Sequence, residues 1–202
     1  MSDNLKKNNF LIKSSDRINQ KGHKPFVVWF TGLSGAGKTT ISSALEVRLF
    51  NMGFHTYILD GDNVRTGINK DLNFTPKDRT ENIRRIAEIS SLFLDAGISV
   101  LAAFISPYRK DREQAKQLIG EDNFFEVFVN TPINICKSRD IKGLYKMASN
   151  GKIKNFTGIT APYESPVSPD VIINTAEISL EKAVDEILEC ILNRIEKPKN
   201  NR

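Results

Sequence analysis

The segment Gly32-Leu33-Ser34-Gly35-Ala36-Gly37-Lys38-Thr39 constrains this chain more than any other, because it fits the pattern G-x-x-x-x-G-K-[ST] and has the right neighbours. Before it, Phe26-Val27-Val28-Trp29-Phe30 is an uninterrupted apolar run, as expected of a strand buried on both faces. After it, Ile41, Ala44, Leu45, Val47, Leu49 and Phe50 recur at helical spacing through residues 39–52, and Gly53 supplies a stop. A strand, a glycine-rich turn and a helix in that order make an anion site. The glycines admit backbone conformations closed to other residues and let N–H groups converge on phosphate oxygens. Lys38 is then placed to bridge β- and γ-phosphates, Thr39 to hold Mg²⁺, and the helix N-terminus adds partial positive charge. The implied guest is a nucleoside triphosphate.

Short apolar runs at 56–59, 98–105, 124–129 and 171–173 alternate with helical periodicity at 79–96, 109–119, 132–139 and 180–195. That alternation predicts right-handed βαβ units: a single α/β domain with a parallel sheet flanked by helices on both faces. A length of 202 residues and 40% apolar content suit one such core and leave little for a second. The net charge of +5 raises the question of nucleic acid, but the excess sits at the ends: residues 26–193 hold 19 basic against 21 acidic side chains. We therefore expect a polar, mobile extension over 1–25, a domain over 26–196 and a basic tail over 197–202, with no nucleic-acid or membrane partner. Two cysteines, Cys136 and Cys190, lie far apart in apolar helical stretches and read as reduced thiols. With no apolar leader and no stretch of membrane-spanning length, a cytoplasmic location is expected.

The phosphate loop does not choose the reaction. A GTPase needs D-x-x-G after a strand and then N-K-x-D; Asp140-Ile141-Lys142-Gly143 does not follow a strand end, and Asn69-Lys70-Asp71-Leu72 misses the second string. Directly after the second strand comes Asp60-Gly61-Asp62-Asn63-Val64-Arg65, at the place where open α/β sheets carry ligand groups. Transfer of a phosphoryl group to a hydroxyl needs a carboxylate near the attacking oxygen and one organising hydrated Mg²⁺, and Asp62 is the candidate for both.

Taken together, residues 32–40, 59–65, Phe74, 79–85, 104–109, 142–145, 155–158 and 161–164 resemble the adenylylsulfate kinase family, over a stretch from about Phe26 to Ile173. The resemblance implies a P-loop kinase fold and transfer of the ATP γ-phosphate to the 3′-hydroxyl of adenosine 5′-phosphosulfate (APS). It extends the loop contacts to Thr40 and places Arg139 beside the ATP adenine. It assigns Arg65, Arg79 and Asn82 to the phosphosulfate and ribose, with Asn63, Ile105, Leu144 and Asn155 as further substrate contacts, and Phe74 and Phe156 to the two faces of the substrate purine. These are apt types: a planar guanidinium reads tetrahedral oxyanions, and a purine calls for flat apolar faces.

Ser106 aligns with a serine described in the family as a phosphoserine intermediate, although direct in-line transfer needs no covalent stop and a strand-end serine suits ligand contact. Residues 142–158 read as a lid that excludes water and brings Lys142 and Lys154 toward the phosphates. Departures from the family pattern are Asn130 and Thr160 at positions usually Asp, and Thr66 at one often His. The resemblance also implies a homodimer and a link to ATP sulfurylase. Two rivals stand: another small P-loop kinase acting on a nucleotide, shikimate or gluconate, and a nucleotide-binding module without chemistry.

Overall fold

The computed structural model describes residues 8–140 and 142–195. In chain order it has α1 (Ser14–Lys21), β1 (Val27–Thr31), α2 (Lys38–Asn51), β2 (Thr56–Asp60), α3 (Gly61–Thr66), α4 (Pro76–Asp95), β3 (Ser99–Ala103) and α5 (Arg109–Ile119). There follow β4 (Phe124–Val129), α6 (Ile133–Arg139), α7 (Leu144–Ser149), β5 (Val171–Ile173) and α8 (Leu180–Ile195). The five strands form one parallel sheet in the order β2-β3-β1-β4-β5. β1 is central, with Val27 level with Val100 of β3 on one side and Phe124 of β4 on the other.

All five residues of β1 are buried, because helices cover both faces. Its side chains alternate between two cores, as a period of two requires. Phe26, Val28 and Phe30 pack with Ile41, Leu45 and Leu49 of α2 and Ile187 and Ile191 of α8. Val27 and Trp29 pack with Ile83 and Ile86 of α4 and Ala115 of α5. Trp29 is fully buried, with Phe104 and Phe124 stacked at 6.1 and 5.7 Å; truncating it to Ala would cost about 3–5 kcal/mol through lost transfer energy and the cavity left behind.

The expected strands and helices all form, and their boundaries show which local signals compete. α4 starts at Pro76, three residues before Arg79, because Thr75 caps it by accepting from the Asp78 amide at 3.2 Å and Pro76 sits in the first turn. β3 ends at Ala103, short of Ile105, as the chain peels away through Ser106 at φ 38°. In the polar extension, Ser14–Lys21 forms a helix where composition predicts only mobile chain. It is docked on the main body: Arg17 pairs with Asp95 at 2.9 Å, and the Lys21 stem lies against Gly97. The expected basic tail at 197–202 and the last residue of the expected domain, Glu196, lie outside the described residues.

With every strand parallel, all the carboxyl ends meet on one side, and there the loops after β1, β2, β3 and β5 surround a single cavity of about 990 Å³.

Candidate active site

The phosphate loop leaves β1 and enters α2 with Gly32, Gly35 and Gly37 at φ 147°, 74° and 110°. A side chain is excluded there on conformational grounds and on space. A Cβ on Gly32 would lie 2.5 Å from the Val129 carbonyl oxygen, and one on Gly35 would lie 3.0 Å from that of Cys136. The glycines thus let the loop lie flat on β4 and α6. Ser34, Gly35, Gly37, Lys38, Thr39 and Thr40 line the cavity, while Gly32, Leu33 and Ala36 form the loop behind them.

Lys38 is the first residue of α2 and is buried. Its ammonium donates to the carbonyls of Gly32 at 2.9 Å and Leu33 at 2.7 Å, so the loop wraps its own cation. Burial pushes this amine down to about 8, against the opposing pull of Cys136, Asp60 and Asp62. A group of phosphates would relieve that desolvation and favour the charged form.

Beside it, the Thr39 hydroxyl donates to Asp60 Oδ2 at 2.8 Å. Asp60 ends β2, is 8% exposed, and its other oxygen accepts from the Asp62 amide at 3.0 Å, capping α3. The carboxylate that meets Thr39 is therefore Asp60. Asp62, the sequence candidate, has its side chain 72% exposed and paired with the Lys142 ammonium at the cavity wall. The DGDN string contains both acids, but only the end of β2 and the cap geometry separate them. Hydroxyl and carboxylate oxygens at the head of α2 are the hard donors that Mg²⁺ prefers, so the residues present fit that ion.

At the far end of the cavity, Phe74 is half exposed with the Arg65 guanidinium 4.5 Å from its ring centroid and Arg79 at 5.7 Å. Arg65 donates to the carbonyls of Leu72 and Asn73, and Arg79 to those of Phe74 at 3.2 Å and Asn155 at 2.7 Å. Burial lowers the pKa of both arginines. Arg79 thereby ties the Phe74 segment to the one bearing Phe156, whose ring packs edge-on against Tyr145 at 5.0 Å. Asn82 is buried and accepts from Asn69 at 3.0 Å. Asn63 is exposed outside the cavity lining, and Asn155 meets the site through its carbonyl, with its own backbone at φ 56°.

Ile105, Ser106 and Pro107 line the wall between the two ends. The Ser106 side chain is turned inward: the residue is 2% exposed, and its hydroxyl accepts from the Trp29 indole at 3.1 Å. Its carbonyl accepts from Arg112 at 2.7 Å, which together with the Thr31 hydroxyl bonded to Ile105 holds the unusual backbone in place. From the 142–158 segment, Lys142, Leu144, Lys154 and Phe156 reach the cavity, and Tyr145 donates to the Ser34 carbonyl at 2.9 Å. Thr160 accepts from the Phe156 amide at 2.9 Å, a bond an aspartate in that place would also make. Arg139, at the end of α6, donates to Thr175 after β5. Thr175 escaped sequence reasoning, and Tyr145 entered it only within the 142–145 motif, with no role of its own; for Thr175 the available signal was its place just beyond a strand's carboxyl end.

Residues 24–174 match the family described as adenylylsulphate kinase. The chain is 52% identical over 184 residues to the adenylyl-sulfate kinase of Geotalea daltonii, covering 91% of each chain. It is 50% identical over 183 residues to a probable adenylyl-sulfate kinase of Bacillus subtilis, covering 91% of this chain and 92% of that one. Among solved structures it resembles the Mycobacterium tuberculosis APS kinase in complex with AMPPNP and APS, at a TM-score of 0.80 and 40% identity over 84% of this chain and 98% of that one.

Proposed function

Because the chain belongs to the adenylylsulfate kinase family, we propose that it transfers the γ-phosphoryl group of ATP to the 3′-hydroxyl of APS, giving 3′-phosphoadenosine 5′-phosphosulfate and ADP for sulfate assimilation. The observation that carries this is the continuity of the cavity: a phosphate loop with Lys38 and Thr39 at one end, and Phe74, Arg79 and Phe156 at the other, share one space. A donor and a nucleoside acceptor can meet there without either leaving its own subsite.

The residues divide the chemistry as follows. The loop amides and Lys38 take the β- and γ-phosphates, and Lys38 exchanges its two carbonyl partners for phosphate oxygens. Thr39 and Asp60 are the groups that would hold Mg²⁺, which when bound neutralises charge on the phosphate oxygens. Phe74 and Phe156 flank the APS purine, while Arg65, Arg79 and Asn82 hold its phosphosulfate and ribose. The 3′-oxygen attacks phosphorus in line as the bond to the β,γ-bridging oxygen breaks, and the hydroxyl proton passes to Asp62 and then to water. For this Asp62 exchanges its Lys142 partner for the acceptor hydroxyl, and Lys142, with Lys154, turns to the phosphates as the 142–158 segment closes. Ser106 supports the wall through Trp29 and carries no phosphoryl group. Arg139 flanks the adenine of ATP.

A homodimer belongs to this reading, supported by exposed Val47, Phe50 and Met52 at the end of α2. So does a functional link to ATP sulfurylase as the source of APS, and a cytoplasmic setting, supported by two free cysteines. Among the described residues no helix is long and apolar enough to cross a membrane.

A coupled assay of ADP release with APS, shikimate, gluconate or a nucleoside monophosphate as acceptor tests the assignment. Turnover with APS alone is expected; turnover with another acceptor and none with APS would sink it.

A further inference from the structure

Where β5 ends, the chain turns back over the phosphate loop, and Thr175 in that turn touches three parts of the donor end at once. Both amino groups of Arg139 donate to it, Nη1 to the hydroxyl at 2.7 Å and Nη2 to the carbonyl at 3.1 Å. The same hydroxyl lies 3.0 Å from the Ala36 carbonyl oxygen and 2.8 Å from Thr131 Oγ1, which is itself 2.9 Å from the Ala36 oxygen.

A guanidinium has no acceptor, so Thr175 Oγ1 accepts from Arg139 and has its own single proton left for Thr131 or Ala36. In either case the chain of bonds runs from the guanidinium through a hydroxyl to the Ala36 carbonyl. That carbonyl shares a trans peptide plane with the Gly37 amide, so drawing the oxygen back toward Thr175 aims the Gly37 N–H the opposite way. Gly37 lines the cavity, and a Cβ there would stand 3.3 Å from the Thr175 methyl, so the two segments are in close register. Buried Thr131 can satisfy the Ala36 carbonyl alone. The hydroxyl of Thr175 is therefore not needed to fold the loop; Arg139 Nη1 reaches the Gly35 and Ala36 carbonyls directly only at 3.4 and 3.5 Å, and what the hydroxyl adds is a short link to that guanidinium at 2.7 Å.

We propose that Thr175 is a positioning residue that couples Arg139 to the phosphate loop, so that seating the donor's base beside Arg139 and aiming the Gly37 amide at its phosphates occur together. The proposal rests on the reading that Arg139 flanks the base of ATP.

Thr175→Val keeps the shape and removes the acceptor, and Thr175→Ser keeps the hydroxyl. Loss of a hydrogen bond to a charged group predicts a KM for ATP about tenfold higher in the Val variant. Its KM for APS and its kcat at saturating ATP are expected within about twofold of wild type, with the Ser variant close to wild type throughout. In an Arg139→Ala background, Thr175→Val is expected to add less than about twofold, because the group it holds is gone. A wild-type KM for ATP in Thr175→Val, equal impairment in Thr175→Ser, or effects that multiply with Arg139→Ala would overturn the coupling. Arg139→Ala alone separates the two layers: an unchanged KM for ATP sinks the base-flanking reading, whereas a raised one beside a wild-type Thr175→Val sinks only the coupling.

Discussion

Removing the Ser106 hydroxyl should damage the fold more than the reaction. Ser106 sits at φ 38°, a conformation that is costly for a residue with a Cβ, and is held there by Arg112 on its carbonyl and by Trp29 on its hydroxyl. Ser106→Ala leaves the carbonyl bonds intact and deprives the fully buried indole N–H of its acceptor, 3.1 Å away in the wild type. An unmet buried donor costs about 1–3 kcal/mol. For a domain of this size each kcal/mol is worth roughly 2–4 °C, so the melting temperature should fall by roughly 2–12 °C. Ser106→Gly loses the same acceptor but releases the backbone strain, and should melt at or above the Ala variant. Scanning calorimetry gives the stability, and coupled ADP release with APS, run well below the melting range, gives kcat. Direct transfer predicts a kcat within about threefold of wild type in Ser106→Ala, whereas loss of a covalent carrier costs on the order of 10³-fold or more. An inactive Ser106→Ala that melts like wild type would refute the reasoning, since it would separate the hydroxyl's role in chemistry from its role in packing.

Lys38→Ala should abolish transfer. In the wild type, burial lowers the free enzyme's Lys38 to about 8 while bound phosphates raise it again, so ATP binding takes up a proton above pH 8 and the KM for ATP climbs with pH there; calorimetry in buffers of differing ionisation enthalpy reads the uptake, and none at pH 9 contradicts it. The same shift makes charging Lys38 a cost to the fold below pH 8, relieved as pH rises from about 8 toward the unfolded value near 10.5. Asp60→Asn keeps the α3 cap and should need roughly tenfold more Mg²⁺ for half-maximal rate, whereas Asp62→Asn should lower kcat by about 10²–10⁴-fold at unchanged Mg²⁺ demand; the reverse pattern would exchange their roles. Arg79→Ala should raise the KM for APS by about 10- to 100-fold and leave that for ATP near wild type, and a matched loss for ATP would end the division into two subsites.

What could be read in advance depended on whether the information was local. β4, β5, α5 and α8 have the boundaries that their apolar periodicity predicts, since burial against the rest of the sheet repeats at the period of the element itself. The phosphate loop was equally legible, because glycine, lysine and threonine at fixed spacing do their work within one turn. α3 was hidden because Asp60-Gly61-Asp62-Asn63 has turn composition, and its helical character comes from Asp60 as a cap. α1 was hidden because it buries no residue of its own and is held by Arg17 on Asp95. That Asp60 rather than Asp62 meets Thr39, the inward turn of Ser106 and the hub at Thr175 all depend on neighbours 21 to 139 positions away in the chain. No spacing rule reaches that far.

A crystal structure of the enzyme with ADP, Mg²⁺ and APS tests the central claim most directly, that one cavity holds donor and acceptor face to face. The account predicts the ADP phosphates on the Gly32–Thr39 loop, the metal beside Thr39 and Asp60, and the APS purine between Phe74 and Phe156 with its 3′-oxygen turned toward the loop and within reach of Asp62. APS seated away from those two rings, or with its 3′-oxygen directed away from the loop, would contradict it.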